Sequence, residues 1–239
     1  MSTKLPLAKP TLVVASLDAE SRGSDTARAG WLRRHLVAQF RRPSGLLGRL
    51  AGWVMSHRAS NVERNRESVR LLDIQPTDRV LELGFGPGLA IAAAAERATS
   101  GHVHGLDHSA TMVRMAARRN AAAIAEGRVT LQQGGAEGLA LAGLPYDKIF
   151  AVNVDMFWLD RVAVLRKLRE HLAPGGHLAL THQPRNRAAS ARDTQLAAER
   201  MAADLEAAGF RSVETDLIET HPVPTARVYG VALPPQLHP

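Results

Sequence analysis

The sequence predicts an α/β fold: a doubly wound, seven-stranded and mostly parallel sheet that ends in an antiparallel C-terminal hairpin. Two observations lead to this prediction. From residue 78 onward, short apolar segments alternate with longer amphipathic ones, as parallel strands alternate with crossover helices. The last two apolar segments are separated only by residues 219–224, which include two prolines and leave no room for a helix. These two strands are therefore expected to pair antiparallel.

The predicted elements follow a regular order along the chain. Strands are expected near residues 79–84, 102–107, 128–133, 147–153, 176–182, 211–219 and 225–232. Helices are expected near residues 87–98, 109–125, 159–172 and 191–209.

The residues before this domain have a different character. Residues 1–29 show no sustained hydrophobic period and predict a flexible N-terminal arm. Residues 30–72 contain apolar stripes at helical spacing and predict a helical cap. The main domain is then expected over residues 73–239.

The composition of the 239-residue chain excludes several classes of protein. The chain has no cysteine, which removes disulfides, thiolate nucleophiles and cysteine-based metal sites. No apolar run approaches the roughly 20 residues needed to cross a bilayer, and the first residues lack the features of a secretory signal. A cytoplasmic protein without a membrane span is therefore expected.

The positive charge is concentrated near the N-terminus. Residues 1–70 contain 13 Lys and Arg against 5 acidic residues, whereas residues 71–239 contain 17 against 18. A basic segment attracts anionic partners. Its arginines are not interleaved with stacking aromatic residues, so a nucleic-acid partner is not expected. A solvated helical face accounts for the same charge.

A glycine-rich loop directly follows the first predicted strand. Gly84, Gly86 and Gly88 alternate with other residues. Glycine permits positive φ and has no Cβ, so a ligand can lie against the main chain where the strand ends and a helix begins. The dinucleotide fingerprint Gly-x-Gly-x-x-Gly would need glycine at position 89, which is Leu89. The spacing therefore disfavours an NAD-binding oxidoreductase.

An acidic residue ends the second predicted strand. Asp107 lies nineteen residues after Gly88. A carboxylate at this place accepts hydrogen bonds from two ribose hydroxyls. The loop, the spacing and the acid together indicate a nucleoside-containing cofactor much more specifically than the loop alone.

With these motifs the sequence resembles the class I S-adenosylmethionine-dependent methyltransferases. The resemblance extends to the segment Gly-Gly-Ala-Glu-Gly-Leu at 134–139, to the strand that ends at Asn153, and to the turn at 172–176. It covers about residues 60–232. It implies a Rossmann-like fold, S-adenosylmethionine as cofactor, and transfer of a methyl group to an acceptor.

The resemblance also implies which residues bind the cofactor. Glu82 would reach its amino group, the three glycines would line its methionine and ribose, and Asp107 would hold the ribose hydroxyls. Gly135 stands where the family often has aspartate, so the adenine amino group would be met by backbone, by Glu137 or by water. The full set of expected cofactor-binding residues is Glu82, Gly84, Phe85, Gly86, Gly88, Asp107, His108, Met112, Gly135, Ala136, Glu137 and Asn153.

Two titratable residues follow the fourth and fifth predicted strands and are the candidate catalytic residues. Asp155 or His182 could take a proton from the acceptor. A sulfonium methyl group is already activated, so a base is optional. The alternative role of Asp155 is a helix N-cap, and that of His182 is a hydrogen-bonded loop histidine. His102 and His104 share a strand face without a third ligand, so no metal site is predicted.

The resulting hypothesis is a methyltransferase that acts on a small-molecule acceptor as a monomer or homodimer. Arg64, Asn65 and Arg66 of the cap are further candidates for contact with the cofactor carboxylate or with an acidic acceptor. The alternatives are a methyltransferase that acts on RNA or protein and an NAD-binding oxidoreductase. Oxygen, nitrogen, carbon and sulfur all stay open as the methylated atom.

Overall fold

The computed structural model describes residues 59–136, 145–155, 158–185 and 188–233. The predicted arm (1–29), residues 30–58 of the predicted cap and Glu137 lie outside the described residues. The elements in chain order are α1 (Ala59–Arg70), β1 (Arg79–Leu83), α2 (Leu89–Ala95), β2 (His102–Asp107), α3 (Ala110–Arg119), α4 (Ala121–Ala125), β3 (Val129–Gln133), β4 (Tyr146–Val152), α5 (Arg161–Glu170), β5 (Leu172–His182), α6 (Ala191–Ala207), β6 (Arg211–Ile218) and β7 (Thr225–Val231).

The strands form a seven-stranded sheet in the order β3-β2-β1-β4-β5-β7-β6. Strands β1 to β5 run parallel, whereas β7 pairs antiparallel with both β5 and β6. This arrangement confirms the predicted fold class. The strand order reverses between β1 and β4, and ligands of such sheets bind beyond the carboxyl ends of the strands at this reversal.

The two faces of the sheet bury separate apolar clusters, because successive strand residues point to opposite faces. On one face, Val80 and Phe150 pack with Ile91 of α2 and with Val69 of α1. On the other face, Leu81 and Ile149 belong to the same cluster as residues of α5 and α6, such as Leu165 and Met201. Helices therefore cover both faces and leave the carboxyl edge to the loops.

The helix predicted over 109–125 is in fact two helices. Asn120 separates α3 from α4 with φ −104° and ψ 20°. Its side-chain amide donates to the carbonyl of Gly88 at 3.2 Å and to that of Ala116 at 2.9 Å. This side chain ties the break in the helix to the glycine loop.

The described part of the chain lacks two kinds of feature that bear on function. None of its helices is long and apolar enough to cross a membrane. The same residues contain no group of three or more His, Cys, Asp or Glu side chains that could hold a metal ion.

Candidate active site

The glycine loop lies at the carboxyl end of β1, where it adopts a backbone that only glycine accepts without strain. Gly84, Gly86 and Gly88 have φ values of 68°, 53° and 77°, in the left-handed region. A Cβ on Gly84 would lie 2.4 Å from Val154 Cγ1, whereas a Cβ on Gly86 would meet nothing within 4 Å. The loop therefore packs tightly at Gly84 and faces open space at Gly86.

Asp107 fixes the shape of this loop. The carboxylate is buried at the end of β2. Its Oδ2 accepts from the Gly86 N–H at 2.8 Å, and its Oδ1 accepts from the Ser109 N–H at 2.8 Å. Burial raises the pKa of Asp107, while these two backbone hydrogen bonds lower it. The acid thus holds the loop and the turn after β2 together.

Glu82 provides a second buried carboxylate, two residues before Gly84. Burial, together with the nearby charge of Asp107, raises the pKa of Glu82 well above its usual value. Glu82 Oε2 has no hydrogen-bond partner among the described residues. Buried polar atoms are normally satisfied, so an acid left with an unpartnered oxygen beside the glycine loop fits a cationic ligand group such as an amino group.

The remaining residues predicted to bind the cofactor differ in exposure. Phe85 and Met112 are buried, and Phe85 packs beneath the loop in the cluster that contains Ile91. The side chain of His108 is 44% exposed, with Nδ1 3.8 Å from Asp107 Oδ1. Gly135 is partly exposed and Ala136 is buried. The structure brings His108 next to Asp107 and turns the Phe85 side chain into the core.

Asn153 joins the carboxyl ends of β4 and β5. Its backbone has φ 56°. Its side-chain amide donates to the carbonyl of Gln183 and its Oδ1 accepts from the Gln183 N–H, both at 2.9 Å. The side chain of Asn153 is thereby engaged by protein, which leaves its backbone as the part that can face a ligand.

The two candidate catalytic residues lie together at the carboxyl edge of the sheet, where Asp155 follows β4 and His182 ends β5. Their side chains are 2% and 13% exposed, and His182 Nδ1 lies 3.9 Å from Asp155 Oδ1. Asp155 Oδ2 accepts from Arg200 Nη2 of α6 at 2.5 Å. Asp155 is thus a buried carboxylate in an ion pair with a partly exposed arginine.

His182 is kept neutral by its surroundings. Burial, followed by the charges of Arg200, Arg64 and Arg185, lowers the pKa of His182 from 6.5 to about 4. Its Nδ1 has no hydrogen-bond partner among the described residues. A neutral imidazole can accept a proton, but an imidazole with so low a pKa is a weak base.

The structure also brings forward residues that sequence reasoning did not single out. Gln183 is buried, accepts from Arg64 Nη1 at 2.7 Å and donates to Thr220, His221 and Val223. Arg200 is a partly exposed residue of α6, one residue before the buried Met201. Neither residue carries a local sequence signal that could have identified it.

The comparisons with known proteins agree with this geometry. Residues 80–176 match the model of a family described as "Methyltransferase domain". The uncharacterized methyltransferase YdaC of Bacillus subtilis (strain 168) is 36% identical over 165 residues, which cover 69% of this chain and 88% of that protein.

Two further matches have lower coverage or lower identity. The trans-aconitate 2-methyltransferase of Azoarcus sp. (strain BH72) is 40% identical over 52% of this chain and 47% of its own length. The crystal structure of a SAM-dependent methyltransferase from Aquifex aeolicus has a TM-score of 0.61 at 18% identity and covers 74% of this chain and 94% of that chain. The similarity to the Aquifex aeolicus structure shows the fold alone.

This chain belongs to the class I S-adenosylmethionine-dependent methyltransferase family, and its cofactor is S-adenosylmethionine. It is therefore an enzyme of the transferase class. The alternative of an NAD-binding oxidoreductase is wrong, as the spacing at Leu89 indicated.

Proposed function

We propose that this enzyme methylates a small-molecule acceptor at the carboxyl edge of the sheet. The observation that carries the proposal is the buried Glu82 with its unpartnered Oε2 next to a glycine loop that is open at Gly86. S-adenosylmethionine bound here would supply an activated methyl group for transfer to the acceptor, with S-adenosylhomocysteine as the other product. The residues of the chain bind and orient the two reactants.

The positions of the described groups support the binding roles that we propose. Glu82 takes the amino group of the cofactor, and the backbone at Gly84 and Gly86 lies along its methionine and ribose. Asp107 accepts the ribose hydroxyls with the lone pairs that its two backbone hydrogen bonds leave free. The other proposed contacts are Phe85 and Gly88 through their backbone, His108, Met112, Gly135, Ala136 and Glu137 near adenine, and Asn153 near the sulfur.

Asp155 and His182 have proposed roles on the acceptor side. Asp155, paired with Arg200, orients that guanidinium, and His182 takes a proton if the acceptor must lose one. The low pKa of His182 favours an acceptor that is already a good nucleophile without a strong base.

The small-molecule hypothesis is supported by the relatives named for trans-aconitate, a small molecule. Methylation of RNA or protein is the second candidate, and the excess of Lys and Arg in residues 1–70 is the observation that favours it. The arm at 1–29, the cap at 30–72, a cytoplasmic location and a monomer or homodimer stay predictions.

A labelling experiment distinguishes these candidates. The purified chain is incubated with S-adenosylmethionine labelled in its methyl group and with separate small-molecule, RNA and protein fractions of a cell extract. Label in the small-molecule fraction alone supports the proposal. Label in RNA, with an affinity that falls steeply as salt rises, would replace it by the second candidate.

The roles of the binding residues are tested by calorimetry with S-adenosylhomocysteine. Asp107→Ala is expected to weaken binding by about 1–3 kcal/mol, because ribose hydroxyls lose their acceptor. The control is Asp160→Ala, which removes a carboxylate that caps α5 by accepting from the Ala163 N–H at 2.9 Å. Unchanged affinity in Asp107→Ala would remove this residue from the site.

A further inference from the structure

A cavity of about 220 Å³ lies on one face of the sheet. Residues of β4, β5 and β7 line it, together with the turn that follows α1. Its volume equals that of about seven water molecules in the liquid, so the cavity can hold a small organic molecule. The charges and the apolar groups along its wall indicate which kind of molecule fits.

The lysine in this wall, Lys148, stands on a strand that is normally apolar. β4 lies in the interior of the sheet, between β1 and β5, and such strands are usually hydrophobic on both faces. Lys148 is paired with Val80 of β1 and with His177 of β5. The side chain is partly buried, and no described residue forms a hydrogen bond or an ion pair with its ammonium group. A partly buried cation without a counter-charge is unfavourable, so a bound anion would stabilise it.

His177 adds a hydrogen-bond donor beside this cation. As the cross-strand neighbour of Lys148, it lies about 4.8 Å away along the sheet, and it lines the same cavity. Burial, followed by the charge of Lys148, lowers the pKa of His177. The imidazole is therefore neutral at neutral pH, where it can donate one hydrogen bond without adding a second charge.

The other charged groups of the cavity do not offer a second free cation. The guanidinium of Arg227 donates through Nε to Asp216 Oδ2 at 3.0 Å and through Nη1 to the carbonyl of Leu71. It also lies over the ring of Tyr229, 4.7 Å from the centroid. Asp73 is an exposed carboxylate of the cavity wall, and it would repel a second negative charge on a ligand.

The remainder of the wall is apolar. Leu72 and Ala179 are buried, at 6% and 3% exposure, and both line the cavity. Ala179 lies between Phe150 of β4 and Tyr229 of β7 in the sheet, so a small side chain separates two large ones. The cavity thus combines one unpaired cation with an apolar surface.

The cavity lies apart from the glycine loop. Lys148 precedes Val152, the last residue of β4, by four positions. At about 3.3 Å per residue, it is about 13 Å from the carboxyl end of this strand. A molecule bound beside Lys148 therefore lies away from the edge proposed to bind the cofactor.

We propose that this cavity is a second binding site, which takes a small monocarboxylate with an apolar body. The carboxylate pairs with the ammonium group of Lys148 and accepts a hydrogen bond from His177, and the apolar body lies against Leu72 and Ala179. A single negative charge matches the single unpaired cation, whereas a phosphate ester carries about 1.5 to 2 negative charges at pH 7. The inference goes beyond the proposed function, because the ligand is neither the cofactor nor the methyl acceptor.

The first test is calorimetry on the full chain with phenylacetate and three related probes. Phenylacetamide lacks the charge, acetate lacks the apolar body, and phenyl phosphate carries the additional charge. Phenylacetate is expected to bind at least tenfold more tightly than each of the other three.

Variants then locate the binding. Lys148→Gln is expected to lower the affinity for phenylacetate at least tenfold, and Lys148→Arg less, because arginine keeps the positive charge. The control is Lys167→Gln, at an exposed position of α5, a helix that packs on the opposite face of the sheet from Ala179. All three variants are expected to keep the wild-type affinity for S-adenosylhomocysteine.

A labelling experiment on the wild-type chain gives a measurement that does not depend on the folding of a variant. The sequence contains four lysines, Lys4, Lys9, Lys148 and Lys167, so mass spectrometry can follow the acetylation of each. Phenylacetate is expected to slow the acetylation of Lys148 at least fivefold and to leave that of Lys167 unchanged.

Four results would overturn the inference. They are the absence of phenylacetate binding, equal affinity for phenylacetamide, tighter binding of phenyl phosphate, and unchanged acetylation of Lys148 in the presence of phenylacetate. Wild-type affinity for phenylacetate in Lys148→Gln would place the ligand elsewhere and would also overturn it.

Discussion

The Asn153 side chain and the Gln183 backbone form a reciprocal pair of hydrogen bonds, each 2.9 Å long. The pair joins the ends of β4 and β5, close to Asp155, which follows β4, and to His182, the last residue of β5. Gln183 extends the connection through its side chain, which bonds Arg64 of α1 and the segment at 220–223. The carboxyl ends of β4 and β5 are thus held by one connected network.

Replacing Asn153 is expected to destabilise the chain in two separable ways. Asn153→Ala loses both hydrogen bonds and places alanine at φ 56°, so the free energy of unfolding should fall by about 2–3 kcal/mol. Asn153→Gly loses the bonds without the backbone strain and should be about 1 kcal/mol more stable than the alanine variant. Urea denaturation measures both. Equal stability of the two variants would contradict a left-handed backbone at this position.

Gly86 and Gly127 form a matched pair for testing the glycine loop. Both have positive φ, 53° and 72°, and a Cβ on either would meet nothing within 4 Å. Valine at either position is expected to cost a similar amount of stability, about 1–2 kcal/mol. Only Gly86→Val should lose affinity for S-adenosylhomocysteine, by tenfold or more, because its side chain fills the proposed binding space. Calorimetry and thermal denaturation report the two effects, and retained affinity would exclude Gly86 from the site.

The raised pKa of Glu82 predicts a pH dependence in the ligand-free chain. A carboxyl group whose pKa in the folded state exceeds its ordinary 4.5 contributes its full stability below that pH. The contribution is lost as the pH rises through the folded-state value. Glu82→Gln should therefore be more stable than the wild type at neutral pH, yet bind S-adenosylhomocysteine more weakly.

The measurement is denaturation of both chains between pH 4.5 and 8. The exposed Glu96→Gln serves as the control, since it removes a carboxylate that is not buried. If Glu82→Gln and Glu96→Gln give the same pH profile, burial does not penalise the Glu82 charge.

The lowered pKa of His182 predicts the opposite dependence. Its folded-state pKa of about 4 lies below the ordinary 6.5, so its contribution is complete above pH 6.5 and is lost as the pH falls toward 4. The shift corresponds to at most about 3 kcal/mol. Arg185→Gln should raise the pKa of His182, because Arg185 is one of the charges that lower it. The control is Arg192→Gln, at an exposed position near the start of α6, which should leave this pKa unchanged. NMR titration of the imidazole checks this, and no difference between the two variants would place Arg185 too far away to act.

The sequence predicted the sheet well because its signals are local. Buried parallel strands are near-continuous apolar runs, and the prolines at 222 and 224 left no room for a helix before β7. The break at Asn120 was missed because the apolar pattern continues through Ala121–Ala125. The Asn120 side chain at this break donates a hydrogen bond to Gly88, thirty-two residues away in the chain, which no local pattern indicates.

The two halves of the proposed site differ in how well the sequence predicts them. Gly84 to Asp107 is a compact motif whose spacing can be read directly from the chain. The other half brings together Arg64 of α1, Arg185 after β5 and Arg200 of α6. These residues lie far apart in the chain, as the hydrogen bond between Arg64 and Gln183 across 119 positions shows. Nothing in the local spacing of Arg185 or Arg200 encodes that meeting, which depends on how the helices pack on the sheet.

The bond from the Gly86 N–H to Asp107 has a kinetic consequence. Because the chain itself supplies this bond, the loop proposed to bind the cofactor has its shape before any ligand arrives. Stopped-flow traces should then show a single phase whose rate rises linearly with nucleoside concentration. The methyl donor would then bind in one step, without a preceding conformational change of the loop.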